Sequence, residues 1–422
     1  MLKKQTAPAE RHDTDQGLTG PTACREERTT MSKKTTPAKT AKGKAKGKAN
    51  GADKAQAQTT PPAQQPETGQ AAVSYSMSPG LVPRMAKEQF SIAFSSYQSG
   101  LLYMLGVQPG GGAHLHQSAQ PKPMGLSYNT NGQLTMTGAY HVLRFENVLA
   151  PHERANNMFD ACFVPRRTHF TGALDAHDIG LDADGEPVFV NTRFNCLARP
   201  HPRHSFEPVW RPPFISALVN EDRCHLNGLA MDGSAPAYAT AISRSDTIDG
   251  WRDRRADGGV VIDIGKNEIV CEGLSMPHSP RLHNGELWLL NSGTGELGVV
   301  TGLDTGKGTF EPRAFCPGFL RGLSFFGNLA FVGLSKPRYK RFEGLELDER
   351  LRTADSKPWC GVQIIDLTNG SCVDWFRIDG AVAELYDVEV LPGATCPMSL
   401  SLTSPELADL ITYEGMNPTP EA

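Results

Sequence analysis

The feature that most constrains this chain is a motif that keeps returning. Lys122-PMGL, His177-DIGL, His225-LNGL, His278-SPRL and Phe319-LRGL share one shape, an anchor residue with a Leu four positions on. Glu384–Leu391, ELYDVEVL, is a looser sixth copy. The copies start 55, 48, 53, 41 and 65 residues apart. Each is followed by a turn and a strongly apolar strand: HDIGL leads through DADGE to PVFVNT, and HSPRL through HNGE to LWLLNS. Short apolar runs closed by Gly, Asn, Asp or Pro are strand and hairpin signals. No long stretch has a 3.6-residue apolar period, so helices should be few. A repeat of ~40–50 residues with several short strands is the pattern of a propeller blade.

Six copies predict an all-β, six-bladed β-propeller-like domain, roughly Ser91 to Leu391. The sixth copy is short at its C-terminal side, while the early strands SIAFSSY and LLYMLGV have no inner strand of their own. The expected solution is that they complete the blade begun by LYDVEVL. The ring is then closed by strands from both ends of the chain, which removes exposed sheet edges. A pair of packed sheets is the alternative, but it gives no reason for the repeat.

Innermost strands of a propeller line one channel, so equivalent repeat positions share a height around one axis. The alignment therefore predicts that His177, His225 and His278 converge from three consecutive blades. Three neutral imidazoles with an open fourth position suit zinc, and iron, manganese or copper also use them. Asp175 and Asp178 flank the first His, and Asp387 and Glu389 lie on the sixth inner strand. Such carboxylates ligate, orient an imidazole or act as a general base. Arg281 and Arg321 are candidates to hold a carboxylate, phosphate or sulfate on a substrate. Asn227 is placed to ligate or hydrogen-bond. The competing reading is a set of polar channel residues that hold water and nothing else. His114 and His116, in GGGAHLHQ, fall in a Gly-rich stretch with two readings, an irregular surface loop and a lid over the channel mouth. His201 and His204 fall in a Pro/Arg-rich loop expected to be exposed, and His169 precedes the His177 strand.

The ends of the chain have a different texture. Up to about Ala72 there is almost no large apolar residue, so this stretch cannot offset the entropy of ordering and should be disordered. The expected division is a tail over 1–75, a propeller-like domain over 76–395 and a C-terminal tail over 396–422. The first 75 residues hold 13 Lys and Arg against 7 Asp and Glu, within a chain of net charge −4. Met31–Lys54 alone carries eight Lys and one Asp. Its two readings are a solvated linker and a weak polyanion or nucleic-acid contact. No aromatic residue interleaves the lysines, so base stacking is not offered. Met31 is a second candidate start.

No secretory signal and no apolar run of membrane-spanning length is visible. Nine scattered Cys without a CxxC pair fit reduced thiols and a cytoplasmic location. There is no GxSxG elbow, P-loop or HExxH, and no GxGxxG before a helix, so triad hydrolysis, nucleotide chemistry and Rossmann redox are unsupported.

The segments LDAHDIGLDADGEPVFVNTRFNCL, CHLNGLAM, MPHSPRLHNGELWLLNSGTGELG, FLRGLSFFGNLAFVGLSK and LYDVEVLPG together resemble a bacterial family of conserved hypothetical proteins with a domain of unknown function. The resemblance covers about Ser91 to Leu391 and implies a propeller-like fold without an established activity. Locally, HLNGLAMDG is similar to a strand of the gluconolactonase/regucalcin propellers, where Asn and acidic side chains hold a divalent cation. That likeness implies Asn227 as a ligand.

Two functions are carried forward. One is a metal-dependent enzyme of hydrolase or lyase type on a small anionic substrate. In it His177, His225, His278 and Asn227 hold the ion, Asp387 or Glu389 is the base, and Arg281 or Arg321 binds the anion. The other is a non-catalytic binding or scaffold module that uses the loops 199–213 and 336–359 and the basic tail. Oligomeric state is open.

Overall fold

The computed structural model describes residues 72–129, 131–337 and 344–413. The lysine-rich segment and the rest of the expected disordered tail up to residue 71 lie outside them, as do 414–422 of the C-terminal tail. The described chain forms six sheets, antiparallel apart from one added outer strand, each with one strand innermost. The innermost strands are Leu126–Tyr128, Ala176–Leu181, Leu226–Asp232, Pro277–His283, Phe319–Phe326 and Asp387–Pro392. We number the blades one to six in that order. This is the six-bladed propeller that the repeat predicts.

The closing blade is built as expected. Phe90–Ser96 pairs antiparallel with Asp387–Pro392, setting Ile92 against Val390 and Phe94 against Val388. Leu101–Gln108 and Gly112–Ala119 complete that sheet. Two further strands extend the fold past the expected limits of 76–395. Ser74–Met77 adds an outer strand to blade five, and Pro397–Ser399 adds a parallel one to blade one.

Both faces of each blade are buried, which explains why the second strands read as continuous apolar runs. In Pro187–Asn191, Val188 and Val190 face blade three while Phe189 faces blade one. In Glu286–Asn291, Leu287 and Leu289 face blade three while Trp288 and Leu290 face blade five. Alternation by two divides each strand between two interfaces.

At the channel, each blade is joined to the next by a buried side-chain hydrogen bond. Ser95 Oγ donates to the Met124 carbonyl, Thr137 Oγ1 to Ala176 and Thr192 Oγ1 to Leu226. Asn227 Nδ2 donates to Pro277, Ser292 Oγ to Leu320 and Ser335 Oγ to Leu385. The donor–acceptor distances run from 2.5 to 3.1 Å. Six carbonyls, each on an inner strand or just before it, therefore mark one level of the channel.

The glycine of the repeat has a packing reason. A Cβ on Gly322, at φ +83°, would lie 2.5 Å from Val388 N and 2.7 Å from Asp387 Cα. Only a residue without Cβ lets inner strands five and six approach so closely. Gly322→Ala should cost at least ~2 kcal/mol from left-handed backbone strain and overlap with unyielding backbone. Urea unfolding measures this, and a cost within ~0.5 kcal/mol, the usual range of neutral surface changes, would show that the blades can separate freely.

Candidate functional site

The carbonyl level corrects the alignment read from the sequence. The residues that follow the six carbonyls are Gly125, His177, Asn227, His278, Arg321 and Tyr386. The position equivalent to His177 and His278 in blade three is thus Asn227. The ladders agree, pairing Ala176 with Asn191, Leu226 with Ala241 and Pro277 with Asn291. His225 stands two residues earlier than Asn227, level with Asp175 and Met276, and all three take positive φ (52°, 53° and 49°). The sequence alignment was anchored on the motif Leu. That residue follows the carbonyl residue by five positions in blades two and four and by three in blade three. Irregular strand pairing in all three blades absorbs the difference.

The upper level and the carbonyl level together form a pocket of ≈210 Å³ at the N-terminal ends of the inner strands. Its wall contains His177, His225, Trp251, Tyr97, Tyr386 and Met276, four cations (Lys122, Arg252, Arg255 and Arg321), and Asp175. Trp251 and Met276 are supported from behind by Leu347 and Leu351. These sit at i and i+4 on the helix Glu346–Thr353 of the long insert, so they share one face.

His225 is the most organised group. Its Nδ1 lies 2.7 Å from Asp222 Oδ2, and its ring stacks on Trp251 at 4.2 Å between centroids. The His177 ring meets it edge-on at 4.8 Å. A carboxylate on Nδ1 fixes that nitrogen as the donor and leaves Nε2 as a lone pair. The left-handed backbone of His225 is shared with Asp175 and Met276 and belongs to the tier as a whole.

His177 and His278 are held alike. His177 Nδ1 is 2.8 Å from the Asp175 carbonyl and 2.8 Å from Thr192 Oγ1. The Thr192 proton is already given to Leu226, so Nδ1 must carry the hydrogen. His278 Nδ1 faces the Met276 carbonyl and Ser292 Oγ, whose proton goes to Leu320. Both imidazoles present bare Nε2 atoms. Burial brings His177 down to about 4, with Asp175 opposing and the charges of His225 and Arg321 adding. Burial and Arg321 take His278 well below the ordinary range. Both are neutral acceptors at neutral pH.

Arg321 lies over the Tyr386 ring at 4.8 Å. Among the described residues it has no ion pair. Lys122 is paired with Asp175 at 2.7 Å and Arg252 with Asp249 at 2.9 Å. Burial pushes the Asp175 carboxyl up, but His177, when charged, and Lys122 outweigh it and hold the group below its usual range.

Arg281 is not placed as expected. It forms a two-pronged pair with Asp178 at 2.8 and 3.1 Å and approaches Asp387 to 3.9 Å. This network sits deeper in the channel and faces away from the pocket. Asp387 accepts from the amides of Leu126 and Val388, a structural duty at the blade six–blade one junction. Burial, against the pull of Arg281, raises it to about 7. Glu389 lines a separate recess of ≈410 Å³ beside Arg281 and takes a hydrogen bond from Ser324. Burial and the neighbouring Asp387 raise it to about 8. Neither carboxylate lines the pocket that holds His225.

Asn227 is committed at both ends of its amide: Nδ2 to Pro277 and Oδ1 to Thr240 Oγ1 at 2.8 Å. It locks blades three and four together, and its oxygen already accepts from Thr240. Among the described residues no three His, Cys, Asp or Glu are grouped so as to hold a metal ion. His114 and His116 lie on the outermost strand of blade six, edge-on to Phe159, and form no lid. His169 is on the outer side of blade one and does not line the pocket. His201 and His204 are at the surface as expected, stacked at 4.8 Å.

Asp222, Trp251, Arg252, Arg255 and Tyr386 were not singled out from the sequence. The available signals were an Asp three residues before a His in a turn, DRCH, and the cluster WRDRR between strands.

A six-bladed propeller with a basic, histidine-lined pocket at one end of a plugged channel is the class that this geometry defines. Residues 79–400 match the family described as Domain of unknown function (DUF4915), and the chain belongs to that family. No curated protein matches it. Among solved structures it is similar to a chain of the nidogen/laminin complex, at 11% identity and a TM-score of 0.44, over 72% of this chain and 99% of that one. It is also similar to a catalytically inactive virginiamycin B lyase from Staphylococcus aureus with quinupristin, at 13% identity and a TM-score of 0.35 (58% and 73% covered). A streptogramin B lyase structure matches at 12% identity and a TM-score of 0.36 (69% and 76% covered).

The half-buried Glu389 gives a pH signature. Its proton is retained in the folded chain up to about 8 but lost in the unfolded chain near 4.5. The folded state thus binds more protons between those values, and stability from this group falls as pH rises through them. Glu389→Gln should gain on the parent in melting temperature from pH 4.5 to 8. A difference that stays constant with pH would place the carboxylate in solvent.

Proposed function

We propose that the pocket is the active site of an acid–base enzyme, of lyase or hydrolase type, acting on a small anionic substrate. The observation that carries this reading is His225, held by Asp222, opposite a guanidinium, Arg321, that has no carboxylate partner among the described residues. An imidazole whose Nδ1–H is fixed by a carboxylate presents Nε2 as a positioned base. A planar cation without a counter-ion suits a substrate carboxylate, sulfate or phosphate. Lys122, Arg252 and Arg255 add positive potential at the mouth.

In this reading the substrate's anionic group lies on Arg321 and against the faces of Tyr386 and Trp251. His225 removes a proton, either from a carbon beside the anion or from an attacking water. Asp222 steadies the imidazolium that results. Arg281, Asp178, Asp387 and Glu389 keep the channel shut behind the pocket and take no part in proton transfer. The eight described cysteines are all unpaired, which supports a reducing compartment such as the cytoplasm. No helix among the described residues is long and apolar enough to cross a membrane.

A panel of small carboxylates, sulfates and phosphates, read by melting temperature, tests the site. At least one class should raise the melting point of the parent protein. Arg321→Ala should then weaken that ligand at least about tenfold, the loss of ~1.4 kcal/mol. With a compound that is turned over, His225→Gln should retain binding and lose roughly 10²–10⁴ in rate. Undiminished affinity in the arginine variant, or full turnover in the histidine variant, would remove the respective residue from its role.

A further inference from the structure

We infer that a small void beneath the pocket floor is a binding site for one water molecule, held between the two neutral imidazoles and the donors of Tyr386 and Arg321. The void measures ≈10 Å³. That is about the least space that admits one water. His177, Asn227, His278, Arg321 and Tyr386 all line it, so it is bounded by the ring of side chains that the interblade bonds set at one level.

Two of its polar atoms have no partner. His278 Nε2 and Tyr386 Oη are fully enclosed and make no hydrogen bond, in residues 4% and 6% exposed. Buried polar atoms in native proteins are paired, with protein or with ordered water. His177 and His278 both carry their hydrogen on Nδ1, so each offers a lone pair at Nε2. Both rings line the void, and a group that donates twice would satisfy both. Tyr386 Oη and the Arg321 guanidinium are donors, so the same group must also accept. Water has two hydrogens and two lone pairs, and needs two to four polar partners.

Other occupants fit less well. A divalent cation would sit beside the Arg321 charge without a carboxylate to spare, since Asp178 and Asp387 are engaged with Arg281 and backbone amides. An anion would face two imidazole lone pairs and the same two carboxylates. A neutral molecule with two donors and two acceptors matches the two imidazoles, Tyr386 and Arg321.

The site connects to the pocket through shared walls. His177, Arg321 and Tyr386 line both spaces. The water thus fixes the guanidinium from below while a ligand engages it from above, and His278 becomes a positioning residue for anion binding although it never touches the ligand. The water site stands whether or not His225 acts as a base, because it is read without any substrate.

A crystal structure of the full chain, with a second data set at the zinc edge, tests this. Expected is a single density peak about 2.7–3.2 Å from His177 Nε2, His278 Nε2, Tyr386 Oη and an Arg321 nitrogen, without anomalous signal. An anomalous peak at ~2.0–2.2 Å from the imidazoles would replace the water by a metal ion, and an empty void would overturn the site outright. For the positioning role, the probe is the anion that raises the parent's melting point. His278→Leu should weaken it about tenfold, whereas His278→Gln, whose amide oxygen restores an acceptor, should stay within about threefold. Equal affinity in the parent and both variants would overturn that role while leaving the density to decide the water.

Discussion

Six hydrogen bonds around one level of the channel hold the rest of the structure in phase. Each runs from a side chain near the start of one blade to a carbonyl on, or just before, the inner strand of the next. Hydrophobic packing between blades is strong but not directional, and it tolerates small slips. A buried carbonyl left without its donor costs about 1–3 kcal/mol. A slip of one blade against the next would therefore be charged at this level, six times around the ring. The bonds also decide which residue of each inner strand comes next and faces the axis. Gly125, His177, Asn227, His278, Arg321 and Tyr386 occupy that ring because the residue before each is anchored.

The same donors set the chemistry of the ring. Thr192 and Ser292 spend their only proton on the following blade, so their oxygens can only accept from a histidine. The tautomer of His177 and of His278 is thus a by-product of blade docking. Burial then keeps both rings neutral. Asn227, at the same level, spends its amide on Pro277 and Thr240 and is removed from ligand chemistry by the docking that positions it.

The fold was legible because a repeat reports geometry directly. PVFVN and LWLLN are apolar throughout, as strands buried on both faces must be, and the orphan strands SIAFSSY and LLYMLGV could only belong to the incomplete sixth blade. The site was less legible. A repeat read from its Leu assumes equal spacing between that Leu and the docking level, and the inner-strand irregularities break that assumption by two residues in blade three. His225 therefore appeared to be a third member of the His177–His278 set, when it belongs one tier up with Asp175 and Met276. Asp222 and Trp251 precede or follow inner strands in irregular segments, where no periodicity says which way a side chain turns. The split between Arg281 and Arg321 was also hidden. Both follow the same kind of apolar strand, and only the three-dimensional placement of Asp178 tells which one is neutralised.

That split carries the functional argument. Arg281 stands deep in the channel, where a guanidinium cannot remain without counter-charge, and Asp178 supplies it on two prongs with Asp387 close by. The cost of burying those charges is offset only as a set. Arg321 is one level nearer the mouth, where the Tyr386 ring and solvent from the pocket share its charge without cancelling it. Two arginines on adjacent blades thus do opposite things: one closes the channel by being neutralised, and the other keeps a field at the pocket floor by not being neutralised. An anion entering between Arg321 and the Asp222-held His225 meets the one place among the described residues where a channel cation and an oriented base face the same space.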